Sequence, residues 1–257
     1  MTPLPSSLPQ ESDLSSSTSF GVLSERVLPT GVKISVVRSD IAKVEADALV
    51  NPSSGNFSLA GGIGSHLRLI GGKVFEREVT RARQSHGDIP VNGAALSKGY
   101  NFASPFVIHV YSPHFDPSSQ AVSITDLRLT IRNLLDLACD NHFATIAVPS
   151  IGSGVNGFPK ETAASNILNE MALYFDAKGG SSSVRQVYFV LFDQESITVY
   201  LHEIAKLVGT DPNATDASKN ISSSTSATSK TTSVTSKTTS VTPKAKTKGR
   251  GKRAKIA

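Results

Sequence analysis

The chain has 257 residues, 39% of them hydrophobic and 18% charged, with a formal net charge of +5. That is enough apolar material for one sizeable core, and no run of about 18 apolar residues offers a membrane-spanning helix. The single cysteine, Cys139, excludes an intramolecular disulfide or a multi-cysteine zinc site; it reads as a small buried hydrophobe in a protein of a reducing compartment.

Residues 1–19 are mostly Ser, Pro and Thr, too polar to repay the entropy of ordering, and read as a disordered arm. They lack the basic start and apolar stretch of a signal peptide. Residues 20–209 carry the apolar patterning of a folded domain, and 210–257 read as a disordered Ser/Thr-rich linker and basic tail. The charge follows this division. From Thr210 onward ten Lys or Arg face two Asp, a net of +8, whereas the first 209 residues carry 16 basic and 19 acidic groups, a net of −3.

Within the folded part, Lys33–Val37 and Ala48–Val50 are short β-branched runs that predict strands. Val91–Ser97 and Val107–Tyr111 predict two more. Thr145–Pro149 and Gln186–Phe192 are nearly continuous apolar strands, the pattern of a sheet covered on both faces. Helical spacing of apolar residues covers Lys73–Ser85, Ile124–Asn141 and Thr162–Phe175, with a last helix near Glu195–Leu207. Strands alternating with helices imply an α/β domain with a largely parallel sheet.

Two glycine-rich segments stand where strands should end: Gly61-Gly62-Ile63-Gly64, and Ser150-Ile151-Gly152-Ser153-Gly154-Val155-Asn156-Gly157-Phe158-Pro159. Glycine admits positive φ and close ligand approach, and successive N–H groups beside a helix start form an anion site. The first segment by itself reads better as a tight loop without a ligand. Neither matches the P-loop or the Rossmann spacing.

Asp40-Ile41, Ala46–Asn51, the GGIG segment, Gly93-Ala94-Ala95, Val107–His109 and Ser150–Pro159 occur in the order found in macro domains. The chain resembles that family from about Phe20 to Leu207. With Ser112-Pro113, Asn156 and Val187–Asp193, it most resembles the macro domain of macro-histones, although with about 19 residues ahead of it no histone fold is expected. The resemblance implies a three-layer α/β/α macro domain with a mixed, mostly parallel sheet, whose ligand is ADP-ribose, free or carried by modified proteins and poly-ADP-ribose ends. It implies no metal, no cofactor beyond that ligand, and no catalytic residue.

In that frame Asp40 accepts a hydrogen bond from the adenine amino group, the Ile41 N–H serves a ring nitrogen, and Phe192 stacks on the base. Without the resemblance Asp40 reads as a turn cap. Gly61, Gly62, Ile63 and Gly64 face one side of the diphosphate, Ser150, Ile151, Gly152, Ser153, Gly154, Val155 and Asn156 the other, and Asn51 joins the binding set. Phe158 and Pro159 are expected to lock the loop, and His109 to be a satisfied core histidine; His66, near the first glycine segment, meets either solvent or the ligand edge.

Macro domains that hydrolyse ADP-ribosyl links resemble N-A-A-N followed by a glycine loop with an acidic residue. Here the run is Asn51-Pro52-Ser53-Ser54, and the glycine loop lacks the acid. A binding module is therefore expected, with weak ADP-ribosyl hydrolysis as the alternative.

The tail repeats SKTTSVT at 229–235 and 236–242 and ends in a basic run. Lys244, Lys246, Lys248, Arg250, Lys252, Arg253 and Lys255, without aromatics, suit sequence-independent contact with DNA phosphates. A nuclear-import signal, or a ligand-independent chromatin tether, reads the same residues equally well. Each points to the nucleus.

Overall fold

The computed structural model describes residues 21–212. The expectations for the N-terminal arm and for the basic residues Lys244 to Lys255 lie outside that range.

Seven strands form one sheet: β1 (Gly21–Val27), β2 (Lys33–Arg38), β3 (Ala48–Ser53), β4 (Ala94–Lys98), β5 (Phe106–Tyr111), β6 (Thr145–Val148) and β7 (Gln186–Leu191). Four helices cover it: α1 (Gly62–His86), α2 (Gln120–Asp140), α3 (Lys160–Lys178) and α4 (Gln194–Ile204). The strand order is β1-β2-β7-β6-β3-β5-β4. The inner five strands run parallel, and β1 and β4 close the two edges antiparallel. The parallel centre is what the alternating elements predict, and the mixed, mostly parallel sheet is the one the resemblance implies.

Alternation along each inner strand divides the core in two. In β3, Ala48 and Val50 join the cluster beneath α2, α3 and α4, while Leu49 joins the cluster beneath α1. Val148, Phe189 and Ile108 belong to the first cluster; Val37, Val107 and Val190 belong to the second. Three helices on one face and one on the other make the α/β/α layering.

Two elements depart from the sequence-based expectation. Strand β1 has no periodic apolar signal, because Ser24, Glu25 and Arg26 occupy its centre and none of its residues is fully buried. Its pairing with β2, not its own burial, makes it a strand. Helix α1 begins at Gly62, eleven residues ahead of the predicted start, so GGIG is a helix N-terminus rather than a loop. Glycine's low propensity hides it. The break that propensity anticipates falls at Gly72, whose φ of 59° and ψ of −158° part α1 into two helical segments across a kink.

The order in which the chain adds strands reverses between β6 and β3. From β3 the chain moves outward through α1 to β4 and β5; from β6 it moves the other way through α3 to β7. Strands β3 and β6 pair only at Ala48–Ile146 and Leu49–Ala147 and then diverge, while β3 stays on β5 as far as Ser53. Pro52 lies in that divergent stretch, where no β6 partner asks for its missing N–H. A crevice at the carboxyl ends of strands, at such a switch point, is where open α/β sheets bind ligands.

Candidate functional site

A cleft of about 400 Å³ opens there. Its walls are the end of β3 and the chain after it (Pro52 to Ser54, Ser58, and Ala60 to Ile63), the end of β5 and the chain after it (Tyr111, Ser112, His114) and the loop after β6 (Ser150, Gly152, and Gly154 to Asn156). The two glycine segments thus face one another across one space. Among the described residues, no carboxylate lines it.

The loop after β6 is shaped by glycine and held from behind. Gly152 has φ +83°, and a Cβ there would meet the Phe158 ring at 2.8 Å. Phe158 is buried and packs on Phe115 at 5.1 Å between ring centroids, which makes it the lock of the loop, as expected. Gly157 and Phe158 donate back to Gly154 O and Gly152 O at 3.0 and 3.1 Å. Among the described residues, no main-chain N–H from 150 to 156 donates to a protein acceptor. Opposite them, α1 opens at Gly62, and the first N–H groups of a helix lack an intrahelical acceptor. Both walls therefore present unpaired donors, and the α1 dipole adds partial positive charge to one of them.

Several hydroxyl and amide groups are committed to building this shape. Ser150 Oγ accepts from Tyr200 OH at 3.2 Å and from Ser153 Oγ at 2.7 Å. Its own proton is thus directed elsewhere, and Ser150 lines the cleft. Asn156 Nδ2 donates to Ser112 O at 2.7 Å and lies 3.0 Å from Pro113 O, tying the β6 loop to the segment after β5. The Asn156 amide nitrogen is therefore committed as a strut, and it is not free to serve a ligand.

Along the same edge of the sheet, Phe192 follows β7, the neighbour of β6, and Asp40 follows β2, one strand further out. The parallel register pairs Arg38 with Leu191, so both residues leave the sheet on the side of the cleft. From β2 through β7 and β6 to β3 is three strand spacings, roughly 14 Å. Phe192 is 82% exposed, with its ring outside the core. The next residue, Asp193, pins that strand end: it accepts from Ser196 N at 2.9 Å, capping α4, and from Lys160 Nζ at 2.7 Å. Burial works against the charged form of Asp193, but the Lys160 and Ser196 bonds outweigh it and bring its pKa down to about 2.

Asp40 does cap a turn. Its Oδ1 accepts from Ala42 N at 3.0 Å, closing a single 3-10 turn over Ile41–Lys43. The same Oδ1 accepts from His66 Nε2, 2.7 Å away on the first turns of α1. Partial burial opposes ionisation of Asp40; the bonds from His66 and Ala42, with the nearby Lys43 charge, prevail and hold its pKa below the ordinary value. Ile41 buries its side chain, leaving its main chain as the group able to serve a ligand.

Three residues of the expected binding set have their side-chain positions committed to packing rather than to the cleft. Asn51 is fully buried; its Nδ2 donates to His109 Nδ1 at 3.1 Å, and its Oδ1 lies beneath α1, where a Cβ on Gly64 would come within 3.3 Å. Gly64 is needed for close packing, since that Cβ would also sit 2.8 Å from Leu59 Cα. The Ile151 side chain belongs to the core. None of the three side-chain positions faces the cleft. Conversely, Ser58, Tyr111, Ser112 and His114 line it without having been assigned a role. Tyr111, Ser112 and His114 were within reach, because a parallel β5 must deliver its C-terminal residues to the edge used by β3 and β6.

His109 is the satisfied core histidine expected of it. Asn51 donates to Nδ1, so Nε2 carries the proton and donates to Ser97 Oγ at 2.9 Å. Burial alone lowers its pKa to about 3.

The comparisons with known proteins agree with this construction. Residues 50–167 match the family model described as the Macro domain. The chain is 44% identical over 186 residues to histone macroH2A1.1 of Capsaspora owczarzaki, covering 72% of this chain and 50% of that protein. It therefore spans about half of that relative's length. It is 30% identical over 168 residues to the macro domain-containing protein TTE0995 of Caldanaerobacter subterraneus, 65% of this chain and 93% of the relative. An O-acetyl-ADP-ribose deacetylase of Enterobacter cloacae is 28% identical over 168 residues, 65% of this chain and 91% of the relative. Among solved structures, an Oceanobacillus iheyensis macrodomain with ADP superposes with a TM-score of 0.64 at 21% identity, covering 72% of this chain and 96% of that one. A five-stranded parallel centre, a donor-lined cleft at the switch point and these matches lead to one assignment: the chain belongs to the macro domain family.

Proposed function

We propose that this protein is an ADP-ribose-binding module that recognises the free nucleotide or ADP-ribosyl groups on modified proteins and chain ends. The observation that carries the reading is the two-walled cleft of unpaired main-chain donors, with Asp40 and Phe192 in line beyond it. Donors from the loop after β6 and from the start of α1 suit a diphosphate. Asp40 Oδ2, which accepts no bond among the described residues, suits an exocyclic amine, and the exposed Phe192 ring suits a base face. Solved macro domains described as complexes with ADP or ADP-ribose, such as that of Trypanosoma brucei, support the same ligand class.

Isothermal titration with ADP-ribose tests this. Wild type should bind, and Asp40→Ala should weaken binding by about 1.5–3 kcal/mol, the range for a hydrogen bond to a charged group. No heat from wild type would refute the reading.

The relative named as a deacetylase keeps hydrolysis as the second reading. The residues speak for binding instead. Among the described residues, the cleft offers no carboxylate to activate water. Ser54 stands where hydrolases of the family resemble Asn, and its Oγ is turned to Asn56 Oδ1 at 2.7 Å. Incubated with an ADP-ribosylated protein, the chain should retain the label bound rather than release it catalytically. We further propose that the basic tail carries the protein to the nucleus and to chromatin, a reading that rests on its Lys and Arg run and on the kinship with a macro-histone.

A further inference from the structure

A carboxylate that only caps a turn can still rotate about its Cβ–Cγ bond, since such terminal torsions are broad. In this protein the Ala42 N–H holds Asp40 Oδ1 at 3.0 Å, and a second donor from another element, His66 Nε2, reaches the same oxygen at 2.7 Å. A carboxylate has only lone pairs to offer, so Nε2 carries the proton whatever the charge of the ring. With both donors on Oδ1, the carboxylate is held in one orientation and Oδ2 is the oxygen left without a bond among the described residues. The location of His66 is equally specific. It lies four residues after Gly62, on the same face of α1, and Gly62 lines the cleft. One helix therefore borders the diphosphate cleft with its first turn and braces the carboxylate at the far end with its second.

We propose that His66 is a positioning residue for base recognition, holding Asp40 so that Oδ2 alone meets the base and a base without an amine at that place is rejected. The inference rests on the ADP-ribose reading of the site. Its chemistry is a difference between two bases. Adenine offers an amine that donates to Oδ2; hypoxanthine places an oxo group there, which repels a carboxylate unable to turn away. A carboxylate released from His66 can rotate or admit water, which softens that repulsion as well as weakening the adenine bond. Selectivity should therefore suffer along with affinity.

The test is titration of the full chain with ADP-ribose and with its inosine analogue, comparing wild type, His66→Ala, His66→Gln, Asp40→Ala and the Asp40→Ala/His66→Ala double variant. Wild type should prefer ADP-ribose by roughly ten- to a hundredfold, the cost of leaving a held acceptor unpaired. His66→Ala should reduce that preference by about fivefold or more. His66→Gln keeps an N–H donor at the end of its side chain and should restore most of it. In the Asp40→Ala background His66→Ala should change nothing, because its effect passes through that carboxylate. An unchanged preference in His66→Ala, or an equal loss with and without Asp40, would overturn the inference while leaving ADP-ribose binding standing. Failure of wild type to bind ADP-ribose would overturn both. His66 is 41% exposed at its side chain, so thermal melts of the two His66 single variants should match wild type and keep that comparison clean.

Discussion

His109 and Asn51 show how single buried side chains set the acid limit of this fold. The imidazole is enclosed between Asn51 and Ser97 and stacked on Phe75, with ring centroids 6.2 Å apart. Its pKa of about 3 lies below the ordinary 6.5. The unfolded chain therefore takes up a proton that the folded chain refuses. The contribution of His109 is complete above about pH 6.5 and is lost as pH falls toward 3, at about 1.4 kcal/mol per unit. Native carboxylates such as Asp193 add their own losses at lower pH, so the clean measurement is a difference. Urea unfolding of wild type and His109→Gln at pH 7.5, 6.5, 5.5 and 4.5 should show the variant less stable at neutral pH yet with a shallower decline below 6.5. Parallel declines would show that the histidine is not held neutral.

Among the elements, helices α2 and α3 carry a ladder whose arithmetic reports their direction. Arg128 donates to Asn166 Oδ1 at 2.8 Å, Arg132 pairs with Glu170, and Tyr174 OH donates to Asp136 at 2.8 Å. Each pair is separated by 38 residues, and successive pairs advance by four on both helices. Only helices running the same way can do this, as two successive crossovers of a parallel sheet require. The middle rung is unequal: Glu170 is 2% exposed and Arg132 about half. Removing the arginine strands a buried carboxylate, whereas neutralising the glutamate leaves an exposed cation that water can serve. Arg132→Ala should therefore destabilise by about 2–4 kcal/mol and Glu170→Gln by distinctly less. Denaturant midpoints of the two variants decide the order, and the reverse order would contradict it.

For the whole molecule, the proposed division of labour sets a ligand-reading domain beside a basic tail. Main-chain bonds join Val27 and Thr210 in both directions at 2.9 Å, so a truncation that spares the edge of the sheet should begin at residue 213. Removing 213–257 should leave the ADP-ribose isotherm unchanged and abolish binding to duplex DNA. In the full chain, if about six phosphates are neutralised, DNA affinity should fall with a log–log salt slope near −5. Loss of ADP-ribose binding on truncation, or DNA binding that survives it, would contradict the division.

Strand and helix alternation, the parallel centre of the sheet and the loop Ser150–Pro159 were legible in the chain, because apolar period and glycine spacing are local properties that burial on both faces writes into sequence. Asp40 and Phe192 were legible through resemblance, since a carboxylate after one strand and an aromatic after another carry no local mark of a shared edge. What only tertiary structure decided is which way the polar groups face. Asn51 turns to a histidine 58 residues away, Asn156 to the segment after β5, and His66 to a carboxylate 26 residues back. Each of those choices depends on which strands lie side by side and where they diverge, and hydrogen-bond partners brought together in that way leave no period for the sequence to display.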